Sequence, residues 1–190
     1  MAGLLSGLAR LFGRGSGAKG YKVAEIYTGM REQAFTLGVS GAGLSQGQSS
    51  DQVRGVLMEA GLPEGVVTLL ALAEGAVSIY FSNGGGTIGL GEHAGPAQVA
   101  REYLAMAKEF VPVCRPSSSH PLPDRGTIRF YVLTAEGVRT GQATESDLVE
   151  RRSELWPLFY KGQELIEAIR VVDGKLNAEQ PGRAAKGDTP

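Results

Sequence analysis

The run Ser78-Ile-Tyr-Phe-Ser-Asn-Gly-Gly-Gly-Thr-Ile-Gly-Leu-Gly-Glu-His93 constrains this chain more than any other stretch. Gly84, Gly85, Gly86, Gly89 and Gly91 all fall within it. Glycine loses more backbone freedom on ordering than any other residue. A chain that carries such a run therefore uses positive φ there, or brings another backbone or a ligand close. Asn83-Gly84 is the strongest short hairpin signal, and residues 76–82 and 87–92 on either side read as strands. The segment is a glycine-tipped hairpin. Asn83, Gly84, Gly85, Gly86, Gly89 and Gly91 are its candidate ligand-binding residues.

The chemistry such a loop can support is narrow. No Gly-Lys-Ser/Thr closes it, so it is not a Walker loop. Its glycines do not lead straight from a parallel strand into a helix, as a dinucleotide fingerprint requires. Backbone N–H groups in the loop can still form an anion nest. Glu92-His93 is the one acid–histidine pair beside it, with His93 the candidate general base and Glu92 the carboxylate that would orient it. Adjacent residues in an extended segment point to opposite faces, however, so Glu92 does not orient His93. Capping the following helix is the competing role for His93. Cys114 reads as a small buried hydrophobe, with a nucleophile pair to His120 or His93 as its alternative, and Ser117-Ser-Ser119 reads as polar loop. With two histidines and one cysteine, neither a metal site nor a cofactor is expected.

Composition excludes further classes. A formal net charge of −1 gives no footprint for nucleic acid. The single cysteine rules out an internal disulfide framework and fits a reducing, cytoplasmic compartment. No apolar run approaches the roughly 20 residues that span a bilayer.

The chain divides into residues 1–20, a domain over residues 21–172, and a polar tail over residues 173–190 that is expected to be disordered. In the first part, Leu4, Leu5, Leu8, Leu11 and Phe12 share one helical face, followed by a glycine-rich linker. Two uses fit that face equally. Residues 1–14 meet a membrane surface (the inner face of the cell membrane) or a protein partner, or they dock on this protein's own domain.

Residues 21–37 show some helical periodicity and residues 38–48 read as loop. A cleaner helix is expected after Ser49 or Ser50, with Val53, Val56, Leu57 and Ala60 as its stripe and Gly61 and Pro63 as its stop. Residues 66–73 form a strand apolar enough to be buried on both faces. After the hairpin, Pro96 opens an amphipathic helix over residues 96–111. Residues 115–126 are loop, residues 127–134 and 138–144 are strands, and the second of these is half-exposed. A long helix begins near Asp147, with Pro157 breaking it near residues 154–156. Trp156 beside that break is the candidate interface anchor.

The resulting order, α-β-β-β-α-β-β-α, predicts an α+β fold with an antiparallel sheet of about five strands and helices packed on it. In outline this resembles the roadblock/longin-like and profilin-like modules over residues 49–172, without a strand between Thr144 and the last helix. That resemblance implies a non-catalytic module that dimerises or docks through a sheet edge and a helix. The expected function is a self-associating interaction or scaffold module with an N-terminal tether. The alternative is a small enzyme or anion-binding domain using residues 84–93.

Overall fold

A strand, β1 (Val53–Gly61), occupies the centre of the sheet where the spacing of apolar residues predicts a helix. The correction has a physical reason. Met58 is buried as deeply as the four residues of the supposed stripe, so β1 is apolar on both faces rather than along one. Gly55 and two valines also suit an extended chain better than a helix. At Gly55 a Cβ would press on the Leu72 side chain, and the pairing of β1 with its neighbour shifts register there.

The computed structural model describes residues 21–40 and 52–179; Ser49, Ser50 and residues 1–20 lie outside them. Helix α1 (Glu25–Ser40) comes first and takes up the ambiguous periodicity of residues 21–37. Strands β1, β2 (Val66–Leu72) and β3 (Val77–Phe81) follow. A two-residue strand, β4 (Gly86–Thr87), and a 3₁₀ turn (Leu90–Glu92) replace the strand expected over residues 87–92. Gly89 at φ 76° ends the extended path there.

Helix α2 (Ala94–Phe110) leads to a second short strand, β5 (Arg115–Pro116), inside the expected loop. Strands β6 (Thr127–Thr134) and β7 (Gly137–Thr144) form the second hairpin. Helix α3 (Glu145–Val149) starts on Thr144, whose hydroxyl accepts from the Asp147 amide. The last helix, α4 (Trp156–Glu179), begins beside Pro157, where a missing N–H costs least. It runs through residues 173–179, so the polar tail does not begin at Asp173. Asp173 accepts a hydrogen bond from Thr87 and belongs to the domain.

The seven strands are antiparallel in the order β4-β3-β2-β1-β6-β7-β5, against about five expected. Both faces are covered. On one, Met58, Leu69, Ile79, Phe130 and Val132 pack beneath α2 and α4. Gly162 lets α4 come close, since a Cβ there would meet the Met58 thioether at 2.7 Å. On the other face, Tyr27 and Phe35 of α1 cover Leu57, Leu70, Tyr131 and Leu133.

Candidate functional site

The glycine run is explained by backbone geometry. Gly84, Gly86 and Gly89 have φ of 96°, 154° and 76°. A Cβ on Gly91 would overlap the carbonyl oxygen of Gly75. Gly84 faces Ala24 and Ile26 at the start of α1, within 3.3 Å of where its Cβ would stand. Asn83 closes the tip by accepting from the Gly85 amide at 3.0 Å. The hairpin thus packs against its own domain. Glu92 is exposed, and His93 holds the N-cap position of α2 without a side-chain capping bond.

The remaining sequence candidates are dispersed. Cys114 is buried on the α2/α4 face, and burial pushes its thiol up to about 11. His120 lies on the opposite face, stacked on Phe35 at 4.0 Å, so the two form no nucleophile–base pair. Trp156 is half-buried under the Arg151 guanidinium, 4.7 Å from its ring centre. Leu4, Leu5, Leu8, Leu11 and Phe12 lie outside the described residues. Among the described residues no three histidine, cysteine or carboxylate groups gather as metal ligands, and no helix is long and apolar enough to cross a membrane.

The structure brings together a set of residues that sequence reasoning missed. On the α1 face, strand register aligns Tyr80, Thr68, Glu59, Arg129 and Gln142 in one row across β3, β2, β1, β6 and β7. Glu59 at its centre is fully buried. Arg31 descends from α1 to meet it with two hydrogen bonds of 2.7 and 2.9 Å. Thr68 stands 3.3 Å from the same carboxylate, and Tyr27 stands 2.9 Å from Thr68. Burial raises the Glu59 carboxyl above its ordinary range, and the Arg31 guanidinium opposes that rise. Burial also raises the Tyr27 and Tyr80 phenols, with Glu59 adding to it, so both stay protonated. These groups lock α1 to the sheet.

The row ends in a cleft. Arg129 donates to Gln142 on β7, and both line an opening of about 670 Å³ with Arg115, Thr140, Gly141 and Arg152. β5 pairs with β7 only at Thr140 and Arg139, so beyond Thr140 the outer edge of β7 has no strand beside it among the described residues. That bare edge is the floor of the cleft. Arg129 and Gln142 flank it from the α1 face, and Leu155, Ser153 and Arg152 from the segment joining α3 to α4. Arg152 is held by Asp147 and Glu150, whereas Arg115 is exposed and Glu154 is the one carboxylate on the wall. A segment laid along β7 would send alternate side chains to these two walls. The half-exposed alternation of β7 was the only local signal for this site. No family model, curated protein or solved structure matches this chain significantly.

Proposed function

We propose that this protein is a non-catalytic interaction module that receives an extended, carboxylate-bearing segment of a protein partner along the open edge of β7. The bare edge of β7 at the floor of an arginine-lined cleft is the observation that carries this reading. Unpaired strand edges recruit partners through main-chain hydrogen bonds, with alternate side chains giving specificity. Arg115 and Arg129 carry the charge preference, since Arg152 is paired with Asp147 and Glu150 and Glu154 is the one carboxylate among the lining residues. Two copies pairing this edge about a two-fold axis would set those arginines against each other, which favours a foreign acidic segment over self-association here.

A fluorescein-labelled Val-Glu-Val-Glu-Val-Glu peptide tests the reading by anisotropy. It should bind, weaken as salt rises, and lose about tenfold in affinity on Arg115→Glu, the order of one charge pair at such an edge. The lysine counterpart should not bind. Equal binding of both peptides, or no effect of Arg115→Glu, would overturn it.

A further inference from the structure

We infer that, given the edge pairing proposed above, Gln142 is the residue through which β7 selects its partner, and that it selects an acidic side chain set between two apolar ones. The Ser117 amide donates to the Val138 carbonyl at 2.9 Å, and β5 sets Arg115 opposite Thr140. A residue's N–H and C=O point to the same side of its strand, and that side alternates along the chain. The backbone groups of Val138, Thr140 and Gln142 therefore all point away from β6. Ser117 and β5 occupy the first two. Gln142 is the first residue whose outward pair is left for another chain, and a segment running antiparallel to β7, as β5 does, sets one residue opposite it.

Residues paired in this way share a face, with Cβ atoms about 5 Å apart. The residue opposite Gln142 thus emerges on the α1 face, beside the exposed Gln142 side chain and in line with Arg115. Arg129 donates to Gln142 Oε1. A guanidinium accepts nothing, so this bond fixes the amide with its oxygen inward and leaves its NH2 group to donate. The position then offers donors alone, the Gln142 NH2 and the Arg115 guanidinium. Neither Arg115 nor Arg129 forms an ion pair among the described residues. A carboxylate is answered there, whereas a lysine meets only donors and like charge. The two neighbours of that residue point to the other wall. Val113, just past the end of α2, is 43% exposed, and a Cβ on Gly141 would stand 3.1 Å from Leu155. Arg152 on that wall is already paired, and Glu154 repels a second acid. Apolar neighbours fit this side.

Fluorescein-labelled, C-terminally amidated Ser-Thr-Val-Glu-Val-Thr-Ser and its glutamine and lysine counterparts are titrated with the full chain by anisotropy. The parent should prefer the glutamate peptide to the glutamine one by about tenfold. Gln142→Val should cut that preference to about twofold or less, with the glutamine peptide bound as before. Gln142→Glu should invert the order, so that the lysine peptide binds tighter than the glutamate one. N-methylation of the peptide's glutamate removes the amide that faces Gln142 and should cost about tenfold, whereas N-methylation of either valine, whose amide faces water, should cost less than about twofold. A Gln142→Val chain that keeps the full preference, or equal losses at all three methylated positions, overturns the inference and leaves edge pairing standing. Loss of the glutamine peptide on Gln142→Val overturns it too, since the residue is then structural. A parent that binds none of the peptides overturns edge pairing and this inference together.

Discussion

Arg31 and Glu59, 28 residues apart, meet through both carboxylate oxygens at 2.7 and 2.9 Å, and the glutamate has no exposed surface. The pair joins α1 to the middle strand of the sheet. The Phe35 and Tyr131 rings also meet the guanidinium, 5.0 and 5.5 Å from its centre, and the arginine side chain keeps only 11% of its surface exposed.

Arg31→Met should destabilise the fold by about 3–5 kcal/mol, because it leaves a buried carboxylate without its counter-charge. Adding Glu59→Gln to that variant should restore part of the loss, since the remaining group is neutral and Thr68 can still bond it. Urea unfolding of the two variants and the parent checks both statements. A double variant weaker than the single one would show that the pair is not the origin.

The same pair fixes a pH dependence. Burial raises the Glu59 carboxyl, and in Arg31→Met the largest opposing influence is gone, so it rises further. An acid whose folded-state value is raised costs nothing while both states are protonated. It costs more as pH climbs from the unfolded value, about 4.3, towards the folded one. The deficit of Arg31→Met should therefore be small at pH 4 and grow towards pH 7, by at most about 1.4 kcal/mol per pH unit. Urea midpoints at four pH values measure it. A deficit independent of pH would contradict this assignment.

His120 works in the opposite direction. Burial, and then the charge of Arg31, lower its pKa, and its ring stacks on Phe35 and meets Tyr131 edge-on. The unfolded chain takes up a proton near pH 6.5 that the folded chain resists. Stability conferred by the neutral ring is full above that value and is lost as pH falls towards the lowered one. His120→Phe keeps the stack and removes the titration. Thermal melts from pH 8 to 5 should show a shallower decline for this variant than for the parent.

What the sequence disclosed follows from how local each signal is. β2 was legible because residues 66–72 are apolar without interruption, and α2 because its stripe repeats over four turns. β1 was not, because Glu59 looks like the polar face of a helix until Arg31 is seen to cover it. The antiparallel α+β class survives that error, since it rests on the hairpins. The cleft was illegible for a similar reason. Arg115, Arg129 and Arg152 sit on three elements, and only the register of β6 with β7 and the turn before α4 bring them together. Asp173 inside α4 takes a hydrogen bond from Thr87, 86 residues earlier, a contact that no local pattern discloses.

The glycine hairpin yields a graded test, because Gly86, Gly91 and Gly89 are required for different reasons and Gly85 for neither strain nor overlap. Gly86 combines φ 154° with a Cβ position 2.6 Å from the Ile79 carbonyl oxygen, so Gly86→Ala meets strain and overlap together. Gly91→Ala drives a methyl into the Gly75 carbonyl, which is backbone and cannot rotate aside. Overpacking of this kind costs about 1–3 kcal/mol. Gly89→Ala meets no neighbour within 4 Å but keeps φ at 76°, a left-handed conformation worth about 1–2 kcal/mol against alanine. Gly85→Ala has an ordinary φ and only van der Waals neighbours, 3.4 and 3.7 Å away, and should stay within about 0.5 kcal/mol of the parent. Chemical denaturation should rank the losses Gly86 and Gly91 above Gly89, and Gly89 above Gly85. If the run were kept for a ligand instead, Gly85 at the exposed tip would be the position where alanine hurts binding most while stability stays level. A stability loss at Gly85 as large as at Gly91 would remove the packing explanation for the whole hairpin.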